Sequence, residues 1–443
     1  MVNYLDMKNK FFIKTFGCQM NISDSERIES VLLNAKFKKV YCENLADFVI
    51  VNSCSVRQAA ENRAISTLKL ARKNKQVAII TGCSAVKEKK RFENFADFVL
   101  DIKDLKKWPS ILPCPWQGSR KKRTFAMGKV ETNYFKINPN YSSKFHAYVP
   151  IMTGCNNFCS YCVVPYSRGR EVSRPVNEIL DEVKFLLKHG YNAITLLGQN
   201  VNSYKGTISN ILISEYPKIK FGKYCDFATL LKLLNLIEND YWIWFVTSHP
   251  KDMSLKLIKT IKSCKKVCHY IHLPAQAGND LILEKMNRKY THAKYLKLVK
   301  LIKKNLSDVC LSTDIIVGFP GETKKQFLDT CKLFKEVKYD MAFLAKYSPR
   351  PGTISFKMKD NVLMTEKKRR ENYLNDILRK TALNNNKKYL GKTVDILVEK
   401  KNLGRTKTFK LVKFESDKDL IGQIVKAKIT KSLAWILEGE IKN

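Results

Sequence analysis

Cys155, Cys159 and Cys162 lie in the run Gly-Cys-Asn-Asn-Phe-Cys-Ser-Tyr-Cys, a Cys-x3-Cys-x2-Cys triplet. Three thiolates on one short loop suit an iron–sulfur cluster, whose usual protein ligand is Cys. A four-iron cluster needs four ligands, so this loop leaves one iron open. An open iron can take a small molecule, which turns an electron carrier into a catalyst. Zinc is the competing reading; it asks for four closed ligands at paired spacing, and no His or fourth Cys follows closely. A disulfide framework does not fit, because 13 cysteines is an odd number and 443 residues can build a core without staples.

The elements that must position such a loop follow from the apolar pattern. Six strand-like runs, Ala147–Met152, Ala193–Leu197, Trp242–Thr247, Tyr270–Leu273, Leu311–Val317 and Met341–Tyr347, alternate with helical segments. Those helices cover Val176–His189, Phe227–Glu238, Ser254–Ser263, Tyr295–Asn305 and Lys324–Val337. Such alternation predicts parallel βα units, here a partial (βα)6 barrel with its chemistry on the loops after the strands. The Cys155 loop follows the first of them.

A second cysteine set is spread over the first hundred residues. Phe11–Thr15, Phe48–Asn52 and Val77–Thr81 read as short strands of an open parallel α/β unit, with helices over Asp24–Asn34 and Ala59–Lys73. Each strand ends just before a cysteine: Cys18, Cys54 and Cys83. The carboxyl edge of an open parallel sheet is where ligands bind, so the three could hold a second cluster. Taken singly, each reads equally well as a small buried hydrophobe.

From about Pro109 to Phe145 the pattern breaks into prolines and a basic cluster, Arg120-Lys121-Lys122-Arg123, which reads as a linker. Met364–Asn386 has a long charged helical pattern. Beyond it, Thr393–Glu399, Phe409–Phe414, Gly422–Ile429 and Trp435–Gly439 suggest a small β-barrel, a class that often binds RNA. The expected divisions are 1–125, a linker over 126–145, a central core over 146–373, and a barrel module over 374–443.

Charge bounds the partners. Lys and Arg number 80 against 41 Asp and Glu, a formal net charge of +39, a field that would attract polyanions such as nucleic acid. Most of that charge is Lys scattered along the whole chain, which biased codon usage could also produce. No apolar run approaches membrane-spanning length and the first ten residues lack a signal-peptide core, so a cytoplasmic protein without a membrane partner is expected. Free thiols point to a reducing compartment.

The motifs together resemble the radical S-adenosylmethionine (SAM) methylthiotransferases, within them the tRNA-2-methylthio-N6-dimethylallyladenosine synthases, over essentially the full length. The match rests on Thr15-Phe16-Gly17-Cys18-Gln19-Met20-Asn21, Asn52-Ser53-Cys54-Ser55-Val56-Arg57, Gly82-Cys83, and Gly154 to Tyr166. It continues through Arg168-Gly169-Arg170-Glu171, Leu197 to Tyr204, Ser248-His249-Pro250, His272-Leu273-Pro274, Met286-Asn287-Arg288, Asp314 to Thr323 and Tyr347 to Thr353. Two stretches depart from the family pattern, Gly82-Cys83-Ser84-Ala85-Val86 and Pro274-Ala275-Gln276-Ala277-Gly278-Asn279.

The resemblance implies two [4Fe-4S] clusters. Cys155, Cys159 and Cys162 would hold the one that binds and cleaves SAM to a 5′-deoxyadenosyl radical. Cys18, Cys54 and Cys83 would hold an auxiliary cluster that supplies sulfur, and a second SAM would methylate that sulfur. Gly198, Gln199 and Asn200 would contact the methionine end of the cofactor, and Arg170 or Arg350 a phosphate or the cofactor carboxylate. The terminal barrel resembles the TRAM domain. The implied substrate is N6-isopentenyladenosine at position 37 of tRNA, with a flavodoxin- or ferredoxin-like electron donor, an iron–sulfur carrier and a monomeric state. A sister reaction on threonylcarbamoyl-adenosine and a zinc-holding RNA-binding protein are the alternatives. His249, His272 and Glu322 are further candidates at strand ends, while Cys264, Cys268 and His269 read as packing residues rather than a third metal site.

Overall fold

The computed structural model describes residues 8–54, 58–83, 85, 89–113 and 134–442. The basic cluster at 120–123 and the motif residues Ser55, Val56, Arg57, Ser84 and Val86 lie outside them.

The first unit is a five-stranded parallel sheet. Its order across the sheet is Lys38–Lys39, Lys10–Phe16, Phe48–Ser53, Val77–Thr81 and Phe98–Val99. Phe48–Ser53 and Val77–Thr81 are buried along their whole length, as central parallel strands covered on both faces must be. The first helix, Gln19–Asn34, and the second, Gln58–Lys73, cover it. Two short strands, Lys38–Lys39 and Phe98–Val99, are too brief to carry an alternating pattern in the sequence.

The stretch expected as a linker over 126–145 is, from Tyr134 on, packed against this unit. Tyr134, Phe135 and Ile137 are buried in its core. The Tyr134 hydroxyl donates to Asp24 at 2.5 Å, Asn140 donates to Glu29 at 2.7 Å, and the Ser142 hydroxyl donates to Glu26 at 2.7 Å. Asn, Pro and Ser make the segment look like a loop, but three apolar side chains anchor it.

The central unit holds six parallel strands in chain order: His146–Pro150, Ala193–Leu197, Trp242–Phe245, then Tyr270–His272, Cys310–Val317 and Met341–Lys346. They form two three-stranded sheets, joined where the Ile243 carbonyl accepts the Cys268 N–H at 2.9 Å and a bridge pairs Ile243 with Val267. Five of the crossover helices run Val176–Lys188, Phe227–Leu236, Leu255–Ser263, His292–Asn305 and Lys324–Val337. Side-chain caps set four of their starts: Asp226, Ser254, Thr291 and Thr323 each accept a backbone N–H of the first turn.

The last helix, Met364–Lys387, buries Leu374 and Leu378 in the core of this central unit. The expected division at 373/374 therefore falls inside a helix that packs on the central unit. A closed five-stranded barrel follows, in the order Thr393–Lys400, Leu403–Thr406, Leu411–Lys413, Leu437–Ile441 and Ile424–Ser432.

This small barrel plugs the amino-terminal end of the central one. Phe409 stacks on Tyr270 with ring centroids 4.3 Å apart and meets Trp244 edge-on at 5.7 Å. Trp244 Nε1 donates to the Lys407 carbonyl at 3.1 Å, and Lys410 pairs with Asp340 at 2.7 Å. Leu397 joins Trp242, Trp244, Tyr270 and Cys310 in one buried cluster. The loop that carries Cys155, Cys159 and Cys162 lies at the opposite, carboxyl end.

Candidate functional site

Three adjacent strands deliver the first cysteine set side by side. Cys18 follows Lys10–Phe16 and caps the first helix, Cys54 follows Phe48–Ser53, and Cys83 follows Val77–Thr81. Neighbouring strands lie about 4.8 Å apart, so parallel pairing alone brings three distant positions together. Cys54 and Cys83 are buried and Cys18 is open to solvent. The neighbouring Cys54 side chain, and more weakly Arg168, hold the Cys18 thiol down to about 6. Burial pushes the Cys83 thiol up.

The second set sits on the loop after the first strand of the central barrel. Cys155 and Cys159 are buried and Cys162 is partly so. Burial raises the Cys155 thiol, and it lifts Cys162 to about 12 with help from the negative charge of Cys159. The loop is pinned by backbone: the Ser160 N–H donates to Met286 at 3.0 Å, and the Ser355 N–H to Ser160 at 2.8 Å. Asn287 donates to the Phe158 carbonyl at 2.9 Å. Glycine is required just before a cysteine in both sets. Gly82 and Gly154 have φ of +92° and +79°, and a Cβ on either would lie within 2.5 Å of a neighbouring backbone oxygen.

Among the described residues no three His, Cys, Asp or Glu side chains close around a single-ion position. The sulfur chemistry around both sets suits a cluster, whose thiolates each bind a different iron and accept outer hydrogen bonds. The Arg168 Nε–H donates to Cys83 Sγ at 3.1 Å, the Arg288 Nη1–H to Cys159 Sγ at 3.2 Å, and Asn157 to Cys155 Sγ at 3.5 Å. All three are donors aimed at sulfur, as an anionic thiolate would need.

Arg168 lies six residues beyond Cys162, yet its side chain reaches the other set. Its second arm pairs with Asp24 at 2.6 Å, both nearly fully buried. Arg350 makes a similar crossing to Glu61 of the second helix at 3.0 Å. These two buried pairs fasten the first unit to the mouth of the barrel, and breaking such a pair costs about 3–5 kcal/mol. Arg350 is thus occupied by a carboxylate of the chain itself, not free for a phosphate.

Other sequence candidates fall into place unevenly. Gly198, Gln199 and Asn200 end the second barrel strand at the mouth. Gln199 Oε1, Asn200 Oδ1, both amide atoms of Asn202 and the Ser248 hydroxyl are buried there with no hydrogen-bond partner. Unpaired buried polar atoms cost free energy and mark a place where a polar ligand would complete them. Asn200 Nδ2 donates to Asp252 at 2.7 Å. Arg170 is exposed and its guanidinium lies over the Phe158 ring at 4.3 Å, bracing the Cys155 loop.

His272 contacts Ser312 at 2.8 Å and Asp314 at 3.2 Å. His249 is held neutral, down to about 2, by burial first and then by Arg288 and Lys251. Glu322 is structural: it accepts the Gly318 N–H at 2.6 Å and pairs with Arg370 at 2.7 Å. Cys264 and Cys268 are buried in two different clusters and His269 meets Asp308 at 2.6 Å, as packing residues would. The roles of Arg168, Arg288 and Asp24 were not foreseen from the sequence; the first two stand in recognised motifs, but no spacing rule connects them to sulfur. No helix among the described residues is long and apolar enough to cross a membrane.

Three family profiles cover the chain: uncharacterized protein family UPF0004 over residues 10–101, the radical SAM superfamily over 149–334, and the TRAM domain over 387–442. A tRNA-2-methylthio-N(6)-dimethylallyladenosine synthase from Clostridium tetani is 42% identical over 98% of this chain and 97% of its own. One from Thermosipho africanus is 41% identical over 98% and 99%. Among solved structures, the radical SAM methyltransferase TsrM from Kitasatospora setae shares the fold, with a TM-score of 0.52, 14% identity and coverage of 79% of this chain and 77% of that one. The chain belongs to the tRNA-2-methylthio-N(6)-dimethylallyladenosine synthases, a family of radical SAM tRNA methylthiotransferases.

Proposed function

We propose that the chain methylthiolates C2 of N6-isopentenyladenosine at position 37 of tRNA, in the cytoplasm, using two SAM molecules and sulfur from an auxiliary cluster. One SAM would be the radical source and the other the methyl donor. The observation that carries this reading is the convergence of two three-cysteine sets, tied together by Arg168, beside a rim of unpaired polar atoms. Cys155, Cys159 and Cys162 would hold the radical [4Fe-4S] cluster, and Cys18, Cys54 and Cys83 the auxiliary one. Bound there, the clusters and SAM would supply the radical chemistry that an unactivated adenine C–H demands and no side-chain base can provide.

The chain's own residues would bind, orient and exclude water. Gln199, Asn200, Asn202 and Ser248 offer the polar atoms that a SAM amino-acid group or a nucleoside edge would satisfy. Asn287 and Ser355 keep the Cys155 loop fixed through backbone contacts. The aromatic contact of Phe409, Tyr270 and Trp244 closes the far end of the barrel, so reactants would not enter from there. The terminal barrel, best taken from residue 388, would contact the tRNA: residues 387–442 carry 14 Lys or Arg against 7 Asp or Glu. Phosphate contacts of that kind weaken steeply with salt. An electron donor of flavodoxin or ferredoxin type and an iron–sulfur carrier would serve a monomeric enzyme.

Expression in a host without its own methylthiotransferase, followed by mass spectrometry of digested tRNA, tests the reading. Appearance of 2-methylthio-N6-isopentenyladenosine is the expected result. Unmodified isopentenyladenosine beside an expressed, iron-loaded protein would overturn it, and a methylthio group on threonylcarbamoyl-adenosine would replace the substrate.

A further inference from the structure

Each cysteine set receives an N–H from one buried guanidinium, and the two guanidiniums differ in what balances them. Arg168 gives Nε–H to Cys83 and an Nη2–H to Asp24 at 2.6 Å. Asp24 is fully buried and also accepts the Tyr134 hydroxyl. Its carboxylate therefore partly offsets the Arg168 charge within one hydrogen bond.

Arg288 gives Nη1–H to Cys159, Nε–H to the Tyr290 hydroxyl at 2.8 Å and Nη2–H to the Pro274 carbonyl at 3.0 Å. Every one of these oxygens is neutral. A buried guanidinium among neutral groups is costly unless an anion stands beside it. The sulfur within reach is that of Cys159, which would carry negative charge as a cluster ligand.

Reducing an iron–sulfur cluster adds one negative charge to it. A nearby positive charge and N–H···S bonds favour that reduced form and raise the potential. We propose that Arg288 and Arg168 are positioning residues that set the two clusters' reduction potentials apart. Arg288 acts on the Cys155 cluster through both its uncancelled charge and its N–H. Arg168 acts on the Cys18 cluster through one N–H···S bond and a charge that Asp24 partly offsets. The inference rests on the assignment of the six cysteines as cluster ligands.

The test is a potentiometric titration, read by electron paramagnetic resonance, in full-length proteins that keep one cluster each. Replacing Cys18, Cys54 and Cys83 by Ala isolates the Cys155 cluster; replacing Cys155, Cys159 and Cys162 isolates the other. Iron and sulfide content of these two backgrounds checks the assignment separately: full loading of both clusters in either would refute the ligand reading, whatever the arginines do. At a fixed applied potential, Arg288→Gln should lower the reduced-to-oxidised ratio of its cluster at least tenfold, about 59 mV for one electron. Arg168→Gln should lower that of the other cluster about threefold, and Asp24→Asn, which uncovers the Arg168 charge, should raise it.

Loaded Arg288→Gln protein whose ratio stays within threefold of the parent overturns the proposal, as does an Asp24→Asn shift in the downward direction. Should Arg288→Gln fail to take up its cluster, Arg288→Lys decides. A ratio within threefold of the parent upholds the role of charge, and a tenfold fall refutes it.

Discussion

The two ends of the central barrel are built on opposite terms. At the amino end, Trp242, Trp244, Tyr270 and Cys310 meet Leu397 and Phe409 of the small barrel in a dry, aromatic contact. Most of its polar groups are paired, Trp244 to Lys407, Lys410 to Asp340 and His146 to Thr195, and Asn192, whose Oδ1 has no partner, still donates its Nδ2–H to the Gly422 carbonyl. At the carboxyl end stand six thiols from two sheets, two guanidiniums aimed at sulfur and several polar atoms with no partner. Such groups are retained at a cost in stability, which a binding end can bear because the other end is well packed. Substitutions at the two ends should therefore fail in different ways.

The largest separation is expected from Cys159→Ala. Reductive cleavage of SAM to 5′-deoxyadenosine, followed chromatographically, should fall to background in a protein whose far-ultraviolet circular dichroism matches the parent's. Cleavage persisting at a tenth or more of the parent rate would remove the Cys155 loop from the chemistry. The converse variant is Phe409→Ala at the floor. Emptying that aromatic slot should cost about 2–3 kcal/mol in a denaturant titration, less than a fully buried Phe would because Phe409 is partly exposed, with iron binding by the protein that remains folded unchanged. A loss below about 1 kcal/mol would mean that the small barrel merely rests on the central one.

The floor also holds an acid-sensitive group. Burial, chiefly, holds His146 down to about 4, its ring contacting Thr195 at 2.8 Å. The folded chain thus keeps this ring neutral where the unfolded chain, at its ordinary value near 6.5, is protonated. Its share of stability is complete above about pH 6.5. It is lost as pH falls from there to about 4, by up to about 3 kcal/mol. Unfolding midpoints across that range should fall less steeply in His146→Gln, and equal slopes would exclude His146 as the source.

The contrast also explains what could be read in advance. The Cys155 triplet was legible because its cysteines are local, and the barrel because apolar runs and helical periods alternate regularly along it. Cys18, Cys54 and Cys83 were legible only through a rule about strand ends, since pairing across the sheet brings them together. The strand Leu403–Thr406 escaped notice because Leu-Gly-Arg-Thr has no alternating apolar face. Phe409, expected inside a strand, lies in a turn with φ of +68° and points into the floor. The contacts of Arg168 and Arg288 depend on how the units close on one another, which no local pattern encodes. That closure also limits a simple truncation: removing residues 374–443 would cut Leu374 and Leu378 from the central core and unseal the floor, so weaker tRNA binding would not isolate the role of the small barrel.

The smallest effect sharpens the comparison most. Both side-chain amide atoms of Asn202 are buried at the mouth without a partner. A group in that position carries its desolvation cost uncompensated, so removing it relieves the fold of a burden. Asn202→Ala should leave the cluster-free protein as stable as the parent or more stable, by about 1 kcal/mol, against the usual direction of a core truncation. The same variant should bind SAM more weakly in the iron-loaded protein, measured by calorimetry. The two results belong together: a side chain kept at a cost in the empty site is one whose partner arrives with the ligand. A destabilisation of more than about 1 kcal/mol would show that Asn202 already has its partners in the free protein, and the mouth would then be no less self-sufficient than the floor.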